Sequence, residues 1–195
     1  MTLDLHTRRA FRVAAEMARE EYGAGREGFG VATLLDARGR VIDTVPFHNL
    51  ITDAGDLYCA QALIRGSGPA NPGAPSPGVP NGMKLGTGST AVSKAGAGAA
   101  LVTYVSGSNV AFDTGYAQTA DLGSGLGKTS IWKTTWGAGV ATNGALTEAV
   151  IVNDQASNLT STAANTYART LFGSSINKQS GDTLAVTWAW KNLGA

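Results

Sequence analysis

Thr183-Leu184-Ala185-Val186-Thr187-Trp188-Ala189-Trp190-Lys191 carries the strongest strand signal in the chain. Leu184, Val186, Trp188 and Trp190 fall on one side of an extended backbone, and Thr183, Ala185, Thr187 and Lys191 on the other. That is the period of two a strand requires. Thr129 to Trp136 repeats the pattern, with Ser130, Trp132, Thr134 and Trp136 on one face and Thr129, Ile131, Lys133 and Thr135 on the other.

Working outward, further strand signals are short and separated by Gly-rich joints: Val31–Leu35, Arg40–Val45, Met83–Leu85, Leu101–Val105, Asn109–Phe112, Leu146–Val152 and Tyr167–Phe172. Asp36-Ala37-Arg38-Gly39 has the Asp-first, Gly-last order of a type I turn and joins the first two as a hairpin. Pro46 closes the second of them or places it at an edge. Many short strands at this spacing predict a mainly β fold, an antiparallel β-sandwich or barrel-like domain. No repeat of fixed period appears.

Two helices are expected beside the strands. In residues 4–22, Phe11, Ala14, Ala15, Ala18 and Tyr22 form one apolar stripe, widened by Val13 and Met17, with Arg12 and Glu16 placed as an i,i+4 pair. Gly23 and Gly25 end it. This stripe packs on the domain's own sheet or serves as a docking or oligomerisation helix. A second helix is expected at about 53–65, capped by Thr52 or Asp53 and ended by Gly66, with Leu57, Ala60, Leu63 and Ile64 facing a core. Residues 66–82 hold five of the six prolines and read as a long loop. The expected organisation is an N-terminal helix in residues 1–28 and one β-rich domain in residues 29–195.

Composition narrows the function classes. Charged residues make up 15% of the chain, against about 25% in an average protein. The formal net charge is +1, so nothing in the overall charge draws the chain to nucleic acid or to a membrane surface. No apolar stretch approaches a membrane span, and MTLDLHTRRAFRV lacks the apolar core of a secretory signal. Cys59, the single cysteine, reads as a small buried hydrophobe rather than a nucleophile. The sequon at Asn158 carries little meaning without a secretory signal.

The motifs that suggest chemistry fail on spacing. Gly123-Ser124-Gly125-Leu126-Gly127-Lys128-Thr129 ends like a phosphate-binding loop but is one residue short, and the strand-like SIWKTTW follows where a helix is needed. Gly86-Thr87-Gly88 lacks the third Gly of a dinucleotide fingerprint. His6 and His48 have no companion ligands at metal-binding spacing, and His48 reads as a hydrogen-bonded structural residue. No serine lies in a nucleophile-elbow pattern, and Asp113, Asp121, Glu148, Asp154 and Asp182 are scattered. The expectation is no catalytic residue, no cofactor and no metal. The four tryptophans belong either to the core or a subunit interface, or to a sugar-stacking platform.

Residues 49–190 also present an ordered series: Asn49-Leu50-Ile51 before a helix, Met83-Lys84-Leu85-Gly86-Thr87-Gly88-Ser89-Thr90, Trp136-Gly137-Ala138-Gly139, Gly144-Ala145-Leu146-Thr147-Glu148-Ala149-Val150-Ile151, and Tyr167-Ala168-Arg169-Thr170-Leu171-Phe172 leading through Ile176-Asn177-Lys178 to Ser180-Gly181-Asp182-Thr183. In this order they resemble small bacteriophage structural proteins of the tail-fibre-like or minor tail type. The resemblance implies a non-enzymatic protein made in the host cytoplasm and located in the virion. It implies assembly with itself, a trimer being preferred, and with other virion proteins of the tail or the capsid. It carries over no catalytic residue. Candidate interface residues are Arg8, Phe11, Arg12 and Met17 of the first helix, with Trp132 and Trp136. A capsid decoration protein and a carbohydrate-binding module are the alternatives.

Overall fold

The computed structural model describes residues 27–64, 78–121 and 128–192. The first helix, with Arg8, Phe11, Arg12 and Met17, lies outside the described residues, as do His6, most of the Pro-rich loop and residues 122–127.

The described residues form nine strands: β1 (Glu27–Leu35), β2 (Val41–Ile51), β3 (Gly82–Gly86), β4 (Val110–Ala111), β5 (Gln118–Asp121), β6 (Lys128–Trp136), β7 (Asn143–Val152), β8 (Thr166–Lys178) and β9 (Thr183–Asn192). The helix α1 (Asp53–Ile64) follows β2. All pairings are antiparallel, in the order β4-β3-β7-β8-β2-β1-β9-β6-β5. The fold is therefore mainly β, a single sheet curled into a half-barrel. Glu27 and Gly28 already pair with Lys191 and Trp190.

Two features accompany the curl. The ladder between β2 and β8 holds only Leu50–Arg169 and Ile51–Ala168, after which the strands splay and the Thr170 hydroxyl donates to the His48 carbonyl at 2.6 Å. At the other end of the sheet, the Asp113 amide donates to the Lys133 carbonyl at 2.8 Å and the Asp113 carboxylate accepts the Thr135 amide at 2.9 Å. Asp113 thus occupies the part of the β6 edge that β5 leaves open.

The core lies inside the curl. Leu184, Val186, Trp188 and Trp190 of β9 all point into it, as do Trp132 and Trp136 of β6. Phe47 links the halves, edge-on to Trp188 at 4.9 Å and to Phe172 at 5.7 Å. Burying each large side chain stabilises the fold by about 1.5–3 kcal/mol relative to exposure. The hairpin turn is also as expected. The Asp36 carboxylate accepts the Arg38 and Arg40 amides at 2.9 Å each, and Gly39 adopts φ +76°. These amides and the Arg40 guanidinium hold its carboxyl below the usual range.

One expectation holds by its second alternative and two need correction. Pro46 does not close β2, which runs on to Ile51, but it does lie at an edge: it sits opposite Val31, upstream of the short β8 ladder. Residues 101–105 are not a strand but a loop with one bridge, Tyr104 to Gly86. In α1, Leu57 and Ala60 are exposed, and Gly55, Tyr58 and Cys59 face inward instead. The reason is Gly55, above which the Tyr167 carbonyl comes close enough that a Cβ would lie 2.2 Å from it. Thr52 is the cap: its hydroxyl accepts the Gly55 amide at 3.2 Å. On the second face of β9, Thr187, Ala189 and Lys191 are buried as well.

Candidate functional site

Both half-sheets bury their outer faces, and on the β3-β7-β8 half the covering is visible. Val150 and Val152 point outward there and meet Leu101 and Tyr104 in a small cluster. Residues 87–109 and 153–165 form that outer layer, and buried charges hold it. The Glu148 carboxylate accepts the amides of Gly88 and Thr103 at 2.9 Å and of Val102 at 3.2 Å. It also accepts Arg169 Nε at 2.9 Å, and both side chains are fully buried. Arg169 Nη1 donates to the carbonyls of Thr90 and Gly98 at 2.8 and 3.1 Å. A carboxylate between three amides and a guanidinium substitutes for the ladder partners that these loop residues lack.

The same device recurs twice. Lys84, fully buried, donates to the Leu159 carbonyl at 3.0 Å and pairs with Asp154 at 3.1 Å. Lys178 donates to the carbonyls of Gly137 and Asp182 at 2.9 and 2.8 Å. Burial depresses the Lys178 ammonium pKa, with Asp182 opposing the shift. Sequence spacing shows these residues only as scattered charges. The one available signal was a charged residue inside an otherwise apolar strand, as at Glu148.

A cleft of about 480 Å³ opens between α1, β5 and β6. Tyr58 and Cys59 form one wall, Gln118 and Thr119 another, and Trp132 and Trp190 the floor. The two indoles pack at 4.7 Å, tilted by 60°. Trp190 Nε1 is buried without a hydrogen-bond partner among the described residues. Beside the cleft Tyr58 meets Tyr167 edge-on at 5.3 Å. The Tyr167 hydroxyl bonds Asn153 and donates to the Gly78 carbonyl, and burial pushes its pKa up to about 12. Aromatic walls with few polar groups suit an apolar or ring-shaped ligand.

A third feature is the outer edge of β2. Val41 to Thr44 are exposed, with Val41 and Ile42 among the large apolar side chains that face solvent. This segment lies upstream of the short β8 ladder, so its edge is open to a further strand.

The residues singled out from sequence are dispersed. Trp136 is fully buried and donates its Nε1 to the Ser108 carbonyl at 2.8 Å, so it has no surface to offer a partner. Trp132 is nearly as buried and reaches only the cleft. Both belong to the apolar core of the chain. Lys128 begins a strand, not a helix. His48 is half-buried, and its Nε2 has no hydrogen-bond partner among the described residues, contrary to the hydrogen-bonded histidine expected. No group of three or more His, Cys, Asp or Glu side chains is placed to hold a metal among the described residues. Asp113, Glu148, Asp154 and Asp182 each accept bonds from neighbouring chain segments. Cys59 is half-buried rather than buried and forms no disulfide. Comparison with protein-family models, with curated proteins and with solved structures returns no match.

Proposed function

We propose that this chain is a non-enzymatic bacteriophage virion protein, associated with the tail or fibre, that assembles through its β-domain surfaces. The observation that carries the reading is the open β2 edge at residues 41–46, flanked by the exposed Val41 and Ile42. Main-chain groups along such an edge pair with a strand from a neighbour, and apolar side chains beside it add burial. The buried charges support the same reading from the other side. Glu148, Arg169, Lys84 and Lys178 are engaged by main-chain groups of loops, which makes a rigid, loop-covered building block. The resemblance over residues 49–190 supplies the virion context. A decoration protein clamping capsid subunits uses the same surfaces on a different partner.

The test has two arms. Immunogold labelling of intact particles carrying the protein locates it on the tail, on the capsid or on neither. Sedimentation of the purified chain, with Ile42→Asp beside it, reads self-association. Oligomers that Ile42→Asp abolishes, with label on the particle, support the reading. A monomer at every concentration together with unlabelled particles overturns it.

The cleft over Trp132 and Trp190 favours one second reading, a carbohydrate-binding module. Glycan-array binding that Trp132→Ala abolishes would select it. A silent array would remove it.

A further inference from the structure

From Asp43 to Pro46 the outer edge of β2 presents acceptors and withholds donors. Two hydrogen bonds fix which main-chain groups face outward. The His48 carbonyl accepts the Thr170 hydroxyl of β8 at 2.6 Å. The Thr44 amide donates to the Asp43 carboxylate at 2.8 Å instead of to β1. In an antiparallel ladder alternate residues face the same edge, so Pro46, midway between them, faces outward as well. Proline has no N–H to give. The edge therefore shows the carbonyls of Thr44 and Pro46, while Asp43 holds the Thr44 amide.

One step further out the ladder with β1 slips. Leu34 pairs with Asp43 and Leu35 with Val41, which leaves Ile42 as an extra, bulged residue. Asp43 alternates in step with Val45 and Phe47 of the core, yet it is exposed. A proline, a bulge and a charge on the core-facing side are means by which sheet edges avoid indiscriminate pairing. Such an edge is open, but not to every strand.

We infer that the β2 edge takes an extended segment of another protein that carries a lysine or arginine opposite Asp43. This rests on the reading of that edge as an assembly surface and names the chemistry of its partner. Asp43 has no ion-pair partner among the described residues. A cation on the incoming strand draws its carboxylate off the Thr44 amide. That amide then donates to the strand, and the strand's own amides donate to the Thr44 and Pro46 carbonyls. Val41 and Ile42, 46% and 53% exposed, bury against its apolar side chains.

The β2 strand of a second copy does not fit. A two-fold pairing of this short edge with itself sets the two Asp43 carboxylates opposite or diagonal to each other, about 5–8 Å apart. Like charges so placed oppose the contact. The strand, VIDTVPFHNLI, brings no lysine or arginine to relieve them.

Peptide binding followed by NMR of the full-length chain tests this. One probe is a short peptide alternating threonine and valine around a central lysine; the other has glutamate in that place. The lysine peptide should bind about tenfold more tightly and shift the Thr44 amide signal. Asp43→Asn removes the charge at an exposed position and should bring the two affinities within about twofold of each other. On the unmodified chain, rising salt should narrow the same ratio, which keeps the test if the variant misfolds. Equal affinities on the unmodified chain overturn the inference but leave the edge a strand-binding site. So does a lysine preference that Asp43→Asn and salt leave intact. Saturation that leaves the Thr44 signal unmoved, or binding of neither peptide, overturns it and takes the reading of the edge with it.

Discussion

Glu148→Gln keeps the shape of the side chain and removes its charge. In the folded protein that carboxylate serves Gly88, Val102, Thr103 and Arg169 at once, with no water access. The amide has one acceptor oxygen, and its NH₂ must face either the Arg169 guanidinium or a loop amide, donor against donor. Breaking a fully buried pair in this way costs about 3–5 kcal/mol. For a chain of this size each kcal/mol moves Tm by about 2–4 °C, so Glu148→Gln should melt roughly 6–20 °C lower. Guanidinium unfolding followed by Trp fluorescence measures the energy, and hydrogen exchange at Gly88, Val102 and Thr103 locates it. A double variant, Glu148→Leu with Arg169→Met, sharpens the reasoning. Buried pairs elsewhere often tolerate apolar replacement at little cost. Here the three amides would be left without an acceptor, at about 1–3 kcal/mol each. The double variant should therefore stay at least about 3 kcal/mol below the parent. A double variant as stable as the parent, or Glu148→Gln within about 1 kcal/mol of it with the loop amides still protected, would refute the account.

The Tyr167 hydroxyl, with a folded pKa of about 12 against an ordinary 10.0, binds its proton more tightly in the folded state. Its contribution is complete below pH 10 and is lost as pH rises from 10 towards 12. Unfolding midpoints across that window should fall less steeply for Tyr167→Phe than for the parent, and identical slopes would count against the burial. Gly55→Ala should destabilise by about 1–3 kcal/mol, overpacking against the Tyr167 carbonyl outweighing the better helix propensity of Ala; a denaturation midpoint above the parent's would contradict the packing. Thr52→Ala should cost about 0.5–2 kcal/mol through the lost cap, read from the same curves, with no effect being the adverse result. Lys84→Met frees the Leu159 carbonyl and Asp154, and limited proteolysis should then cut residues 153–165 faster than in the parent, an unchanged cleavage rate being the result against it.

Parts of the site were legible in the chain itself. Glu148 stands out as a charge in the apolar run Leu146–Val152, and a buried charge demands a partner. That the partner is Arg169 follows only from the register of β7 with β8, which sets Val150 opposite Arg169. In α1 the apolar pattern supports two faces equally well, and Gly55, the residue of closest approach, has no side chain to announce it. The Leu101–Val105 segment has strand-like composition, yet the Glu148 carboxylate takes the amides a neighbouring strand would have taken.

Local alternation alone was sufficient for β6, β9 and the hairpin turn at Asp36, because extended backbone puts successive side chains on opposite sides whatever lies beyond them. Which of those sides meets water was a tertiary matter. Thr187, Ala189 and Lys191 occupy positions that a two-residue period assigns to solvent, and they are buried nonetheless. The pairing of half-sheets, the loops drawn over β3, β7 and β8, and the splay between β2 and β8 depend on contacts between residues far apart in the chain. No periodicity records such contacts, since their energy exists only once the strands have met.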